Sequence, residues 1–194
     1  MDQDSIGLFP LHAVLLPGGA LGLRVFEPRY LDLVRSCGRE GTGFGVCLII
    51  EGEEAGVAAT PAAFGTEARI EDFGSDERGL LTLQVRGHRR FHVRRTRIRD
   101  SGLVIGEIDW CDPDPGDELH PEHAVLGSLL QRLFEQVGGE HAAASPAQLD
   151  NAAWISWRLT ELLPLSNLQR QAVLQQDDPH ARLQHLLDWI SLPS

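Results

Sequence analysis

The stretch Ala20-Leu21-Gly22-Leu23-Arg24-Val25-Phe26-Glu27-Pro28-Arg29-Tyr30-Leu31-Asp32-Leu33-Val34-Arg35-Ser36-Cys37-Gly38 changes its period halfway along. Ala20 to Phe26 reads as a short apolar strand, set off by the turn signal Pro17-Gly18-Gly19. Pro28 then suits the first turn of a helix. Tyr30, Leu31, Val34 and Cys37 recur at helical spacing up to Gly38, which is placed to cap the helix. On either side of this strand-to-helix corner the chain reads as β. Ile6 to Leu16 precedes it and Phe44 to Ile50 follows as a buried-strand run. Ala68 to Asp72, Leu80 to Arg86, Arg90 to Ile98 and Leu103 to Trp110 continue the series. Leu81, Leu83 and Val85 alternate as a half-buried strand should. Gly87 reads as the hairpin turn between two of these strands. Five to seven strands with one helix predict a partly closed, antiparallel barrel.

The pattern changes again at Cys111-Asp112-Pro113-Asp114-Pro115-Gly116-Asp117, where prolines and a glycine interrupt both periodicities. Beyond it the chain reads as helical. Glu118 to Val137 places Val125, Leu129, Leu133 and Val137 on one face. Ser145-Pro146 is an N-cap followed by proline, opening a helix to Leu163. Ser166 and Gln169 have capping-box spacing. Asp178-Pro179 opens a fourth helix with Leu183, Leu186, Leu187 and Ile190 on its apolar face. The expected organisation is α+β: a β-rich pseudo-barrel over 1–115, then a four-helix bundle over 116–194.

The 194 residues suffice for one large or two small domains with a real core. The 28 acids outnumber the 17 bases, for a net charge of −11, which repels nucleic acid and anionic membranes unless the bases cluster. No apolar run is long enough to span a bilayer, and no signal peptide is apparent at Met1–Ser5. Three cysteines are a sparse, odd set, which fits a reducing cytoplasm. Every basic residue is arginine. The absence of lysine excludes a Walker-type phosphate loop, Schiff-base chemistry and a Ser–Lys dyad.

The remaining chemistry is thin. His120 and His123 lie near Cys111 and Glu122 but form one loose pair, so they read as solvated histidines and no metal site is expected. The Asp112–Asp117 stretch lacks the oxygens of a calcium loop and reads as a solvated linker. The glycines at 38, 41, 43 and 45 follow a helix and enter a strand, the reverse of a dinucleotide fingerprint. Cys37 and Cys47 fall in apolar patterns, as buried inert thiols do. No nucleophile elbow and no catalytic set is found, and no cofactor is expected.

One segment stands out in charge. Arg86, Arg89, Arg90, Arg94, Arg95, Arg97 and Arg99 occur with no acid among them. On a regular strand Phe91 and Val93 cannot share a face with Ile98, so a bulge is needed to reconcile them. The segment reads either as a solvated edge paired to surplus carboxylates or as a basic strip for an acidic peptide or a nucleic-acid backbone.

Leu8-Phe9-Pro10-Leu11, Leu15-Leu16-Pro17-Gly18 and Leu21 to Tyr30, above all Phe26-Glu27-Pro28-Arg29-Tyr30, closely resemble the N-terminal domain of Lon proteases. Supporting matches follow in order at Phe44-Gly45-Val46, Gly65 to Glu71, Val85 to Phe91 and Gly106-Glu107-Ile108. Leu163-Pro164-Leu165, Gln171 to Gln175 and Arg182 to Leu187 resemble the helical end of the same domain. The resemblance covers nearly the whole chain. It implies a PUA-like pseudo-barrel of about six strands followed by a helical bundle, acting in recognition of protein substrates and in assembly. In Lon the ATPase and Ser–Lys protease modules follow this region; a chain without lysine is expected to carry neither catalytic centre, and the resemblance implies a free-standing, non-enzymatic domain protein.

The leading expectation is therefore a protein- or peptide-binding module, an adaptor in protein turnover. It engages unfolded or specific protein segments in the groove between barrel and bundle, and a separate Lon protease and a homodimer are among the expected partners. Arg24, Glu27, Arg29 and Tyr30 are the candidate peptide-binding residues, with a fold-defining corner as the competing role: Pro28 fixes the junction, Glu27 caps the helix, and Arg24 or Arg29 pairs with Glu27. The alternative is an RNA-binding PUA-like protein that uses Arg89, Arg90 and Arg94. A small-molecule role fits less well. Cereblon carries a related domain, but its ligand pocket belongs to a separate zinc-bearing domain whose paired cysteines are absent here.

Overall fold

The structure is a computed structural model that describes residues 5–138 and 144–191. The chain divides into two compact units, Met1–Asp112 and Pro113–Ser194. The first holds strands β1 (Ser5–Leu11), β2 (Ala20–Val25), β3 (Phe44–Glu51), β4 (Thr60–Ser75), β5 (Leu81–Ile98) and β6 (Val104–Trp110), with helix α1 (Pro28–Glu40) after β2. They form one sheet in the order β2-β5-β4-β3-β1-β6, and a further β5–β6 ladder closes it into a pseudo-barrel. All neighbouring strands are antiparallel except β1 and β3, which run parallel, so the sheet is mixed. The parallel pair arises because α1 lies between β2 and β3 and reverses the chain direction. β1 is flanked on both sides and buried along most of its length, which explains its nearly continuous apolar sequence.

The core of this unit falls on either side of β1. Phe9 and Leu11 pack with Tyr30, Val34, Phe44 and Val85, whereas Leu8 packs with Cys47, Phe91, Val104 and Ile108. β5 is one long strand, where the sequence predicted two. Gly87 is not a hairpin turn but a buried strand position. Its N–H donates to Gly19 O and its carbonyl accepts from Gly18 N–H, both at 2.8 Å. A Cβ at Gly87 would collide with Leu16 O, so glycine here serves a close backbone approach. The β4–β5 turn lies earlier, where Asp76 Oδ1 accepts from the N–H groups of Arg78 and Leu80. The expected bulge is present: the β5–β6 register shifts between Val93 and Arg95, which returns Ile98 to the side of Val93.

α1 runs past Gly38 to Glu40. The left-handed cap is Gly41, with φ 64°, because its N–H reaches back to Cys37 O.

The second unit contains a 3₁₀ turn (Pro121–His123) and helices α2 (Ala124–Val137), α3 (Pro146–Leu149), α4 (Ala152–Leu162), α5 (Asn167–Gln175) and α6 (Pro179–Ser191). Both capping boxes, Ser145 with Gln148 and Ser166 with Gln169, are formed. Asp178 accepts from His180 N–H at the start of α6. The helix expected from Ser145 to Leu163 is split at Asp150-Asn151, because Asn151 caps α4 through Trp154 N–H. α2 buries Leu126, Leu130 and Phe134 and leaves Val125 and Val137 exposed, a turn of one residue from the expected face. Both faces are apolar in sequence, so periodicity alone could not separate them. The acidic stretch is not a solvated linker at Asp114. Its carboxylate accepts from Trp157 Nε1 at 2.7 Å and from the fully buried Arg182 at 2.6 Å. Arg182 also stacks over the Trp157 ring at 3.8 Å. A buried guanidinium requires a counter-charge, and Asp114 supplies it.

Gly87→Ala is expected to lower stability by about 2–3 kcal/mol, because the Leu16 backbone has nowhere to retreat. Gly38→Ala, in an open helix position, is expected to raise it by about 0.5–1 kcal/mol. Urea unfolding of both variants measures the contrast.

Candidate functional site

β2 ends at Val25 and α1 begins at Pro28, so Phe26 and Glu27 make the corner. Glu27 is the N-cap residue, and its carbonyl accepts from Tyr30 and Leu31 N–H, each at 3.0 Å. Its carboxylate does not cap the helix, contrary to the expectation from sequence. It pairs instead with Arg29 at 3.0 Å and accepts from Gly56 N–H at 3.4 Å. The buried guanidinium needs a charged partner more than a solvent-facing helix end does.

Arg29 is only 6% exposed. Its Nη1 donates to Gly102 O at 3.1 Å, in the turn between β5 and β6, and its guanidinium lies 4.7 Å from the Tyr30 ring centre. Tyr30 stacks on Phe9 with centroids 4.1 Å apart. Burial pushes its phenol pKa up, with the Arg29 charge opposing. Arg24 is exposed and lies 3.8 Å from the Asp76 carboxylate. The four motif residues therefore divide: Arg29 and Tyr30 are core groups, while Arg24 and Glu27 reach the surface.

Two concavities open beside this corner. A smaller one of about 410 Å³ is lined by Arg24, Glu27 and Tyr30 together with Leu21, Leu23 and Phe26. A larger groove of about 850 Å³ is lined by Phe26, Leu31, Val34, Ile70, Phe73 and Leu81, with Arg35, Arg69 and Glu71 also in its wall. Phe26 belongs to both. Phe26 is 56% exposed and Phe73 is 75% exposed. Both rings leave large apolar area in water at the edge of this groove. Sequence reading missed both rings as site residues. The available signal for Phe73 was an aromatic residue flanked by Asp72 and Gly74 at a polar strand end.

The basic segment is mostly engaged. Arg86 makes a two-point pair with Glu71 at 2.8 and 3.0 Å. Arg89 lies 3.9 Å over the Trp110 ring and 3.6 Å from Glu67. Arg90 is buried, and Arg94 pairs with Asp109 at 3.4 Å. The three arginines expected to serve nucleic acid, Arg89, Arg90 and Arg94, are thus held by the fold. Glu67 is a buried carboxylate that also gathers Arg69 at 2.8 Å and His88 Nδ1 at 3.0 Å.

The two apolar-pattern cysteines are buried. Burial raises the Cys37 thiol pKa and pushes that of Cys47 up to about 12, which suits packing and not nucleophilic attack. Of the two histidines expected to be solvated, His120 is exposed but His123 is not. His123 is buried, and His180 stacks on His120 at 3.5 Å and lies 5.6 Å from His123 between ring centres. Among the described residues no group of three or more His, Cys, Asp or Glu side chains is arranged to hold a metal ion. No helix of the described residues is long and apolar enough to cross a membrane.

Residues 5–191 match the family model of the ATP-dependent protease La (LON) substrate-binding domain. The crystal structure of a Lon N-terminal domain protein from Xanthomonas campestris is 56% identical, with a TM-score of 0.82 over 95% of this chain and 98% of that one. The N-terminal domain of Mycobacterium avium complex Lon protease shares the fold, with a TM-score of 0.70 at 18% identity over 96% and 98% of the two chains. Cereblon from Danio rerio is 29% identical over 155 residues, which is 76% of this chain and 35% of cereblon. Cereblon from Gallus gallus is 23% identical over 165 residues, 80% of this chain and 34% of its own length. The chain spans about a third of the length of these curated relatives.

The surroundings of His180 predict a pH dependence of stability. Burial foremost, then the neighbouring His120 and His123, lower the His180 pKa from its ordinary 6.5, against the opposing pull of Asp178 and Asp117. A histidine with a depressed folded pKa supports the fold above its unfolded pKa and loses that support as pH falls towards the folded value. The thermal midpoint is expected to drop as pH falls below 6.5. His180→Gln should flatten that slope; an unchanged slope would contradict the assignment.

Proposed function

Since the chain belongs to the LON substrate-binding domain family, we propose that it is a non-catalytic recognition module that binds apolar, unfolded segments of other proteins in the groove beside Phe26. The observation that carries this reading is the exposure of Phe26 and Phe73 along a mostly apolar concavity. Leaving large aromatic surface in water forfeits stabilisation that burial would supply, roughly 25 cal/mol per Å². A partner's apolar side chains recover it on docking.

The corner supports the groove from behind. Arg29 and Tyr30 fix the direction in which the chain leaves β2, and that direction holds Phe26 outward. Arg24 and Glu27 line the smaller concavity next to it and would meet polar groups of the same bound segment. In this reading Arg29 positions the site without touching the ligand, Tyr30 forms part of the floor of the smaller concavity, and Arg24, Glu27 and Phe26 touch the ligand.

The finer role we propose is that of an adaptor in protein turnover, in a reducing cytoplasm, presenting captured segments to a separate Lon protease. Family membership supports recognition of protein substrates, and the buried thiols suit a reducing compartment.

Fluorescence anisotropy with a labelled, permanently unfolded polypeptide tests the reading. Phe26→Ser with Phe73→Ser is expected to weaken binding about tenfold or more, with the thermal midpoint nearly unchanged, because both rings are already largely in water. Equal binding by wild type and the double variant would overturn it.

A further inference from the structure

β5 outruns its neighbour β4. The β4–β5 ladder ends at the Phe64–His92 pair, whereas the β5–β6 ladder continues from Phe91 to Ile98. Where the two ladders overlap, at Phe91 and His92, β4 and β6 occupy opposite sides of β5. Residues 94–98 therefore have β6 on one side and, among the described residues, no strand on the other. Such an edge presents backbone N–H and C=O groups at strand spacing to any extended chain alongside.

The side chains make this edge selective. After the bulge, Arg95 and Arg97 share a face, since they pair with Glu107 and Ile105 in alternate register, and Arg99 follows at the turn. All three are exposed, and no ion pair is recorded for them among the described residues. Arg86, Arg89 and Arg94 differ in being held against Glu71, Glu67 and Asp109. On the opposite face Ile98 is 64% exposed. The turn is braced before any partner arrives: Arg29 donates to Gly102 O, and Arg99 N–H donates to Leu103 O at 2.9 Å. A preformed edge spares a ligand the entropy of ordering it.

Charge decides the occupant. A second copy of this chain would set arginines against arginines, which is the usual defence of an edge against self-pairing. A segment with carboxylates at alternate positions and apolar residues between them matches both faces, and guanidinium–carboxylate pairs are strong and directional. We propose that residues 94–98 are an acceptor edge for an extended acidic protein segment, which adds as a strand and sets its carboxylates against Arg95, Arg97 and Arg99. None of these residues lines the groove beside Phe26, so this surface stands or falls independently of that one.

The test uses the full chain and three labelled probes: a ten-residue peptide alternating Glu with Val, the same peptide N-methylated at alternate backbone positions, and a single-stranded RNA of similar charge. The expected result is salt-sensitive binding of the Glu–Val peptide. Arg95→Ser with Arg97→Ser should weaken it about tenfold, and N-methylation should abolish it while leaving its charge intact. Equal binding of the N-methylated peptide would overturn strand addition. Insensitivity to the two substitutions would overturn the placement. Tighter binding of the RNA, lost in the same variant, would replace the acidic segment with a nucleic acid.

Discussion

The buried guanidinium of Arg29 ties together parts of the chain that are far apart in sequence. It pairs with Glu27 at the β2–α1 corner, donates to Gly102 in the β5–β6 turn, and faces the Tyr30 ring, which is stacked on Phe9 of β1. Phe9 in turn meets Phe44 of β3 with centroids 5.8 Å apart. A desolvated charge tolerates little movement: breaking a buried pair by removing one partner typically costs about 3–5 kcal/mol, because the other charge stays behind. The corner, the hairpin turn and the inner strands are thereby held in one arrangement.

Two surface features lie beside that constraint. At the exit from β2, Phe26 is exposed and lines both concavities. Beside the Gly102 turn, which Arg29 braces, the end of β5 continues past its ladder with β4 and pairs with β6. The groove is mostly apolar and the strand edge cationic, so the two proposed surfaces call for different ligand chemistries. The acidic balance of the chain as a whole leaves the Arg95–Arg99 edge as a local exception, and such exceptions act at short range in physiological salt.

Much of this fold is written in local chemistry. Pro28 announces α1, Ser145 and Ser166 announce their helices through boxes with Gln148 and Gln169, and Leu81, Leu83 and Val85 announce a half-buried strand. The conflict between Phe91, Val93 and Ile98 announced a bulge that the register shift at Val93–Arg95 resolves. What escaped the sequence depends on distant partners. Gly87 looks like a turn until Leu16 is known to pass against it. Asp114 looks solvated until Arg182 and Trp157 are known to reach it. Arg29 looks like a surface ligand until Gly102 arrives from 73 positions away. The candidate site was legible only in part for the same reason. The motif marked the corner correctly, but which of its side chains faced water was a tertiary outcome, and Phe73 comes from a different element altogether.

Hydrogen–deuterium exchange, with and without an unfolded polypeptide ligand, tests the central claim most directly, because it locates the binding surface without altering a residue. The account predicts slowed exchange in residues 26–35 and 69–83, the walls of the groove beside Phe26. Protection confined to residues 144–191, with the groove unchanged, would contradict it.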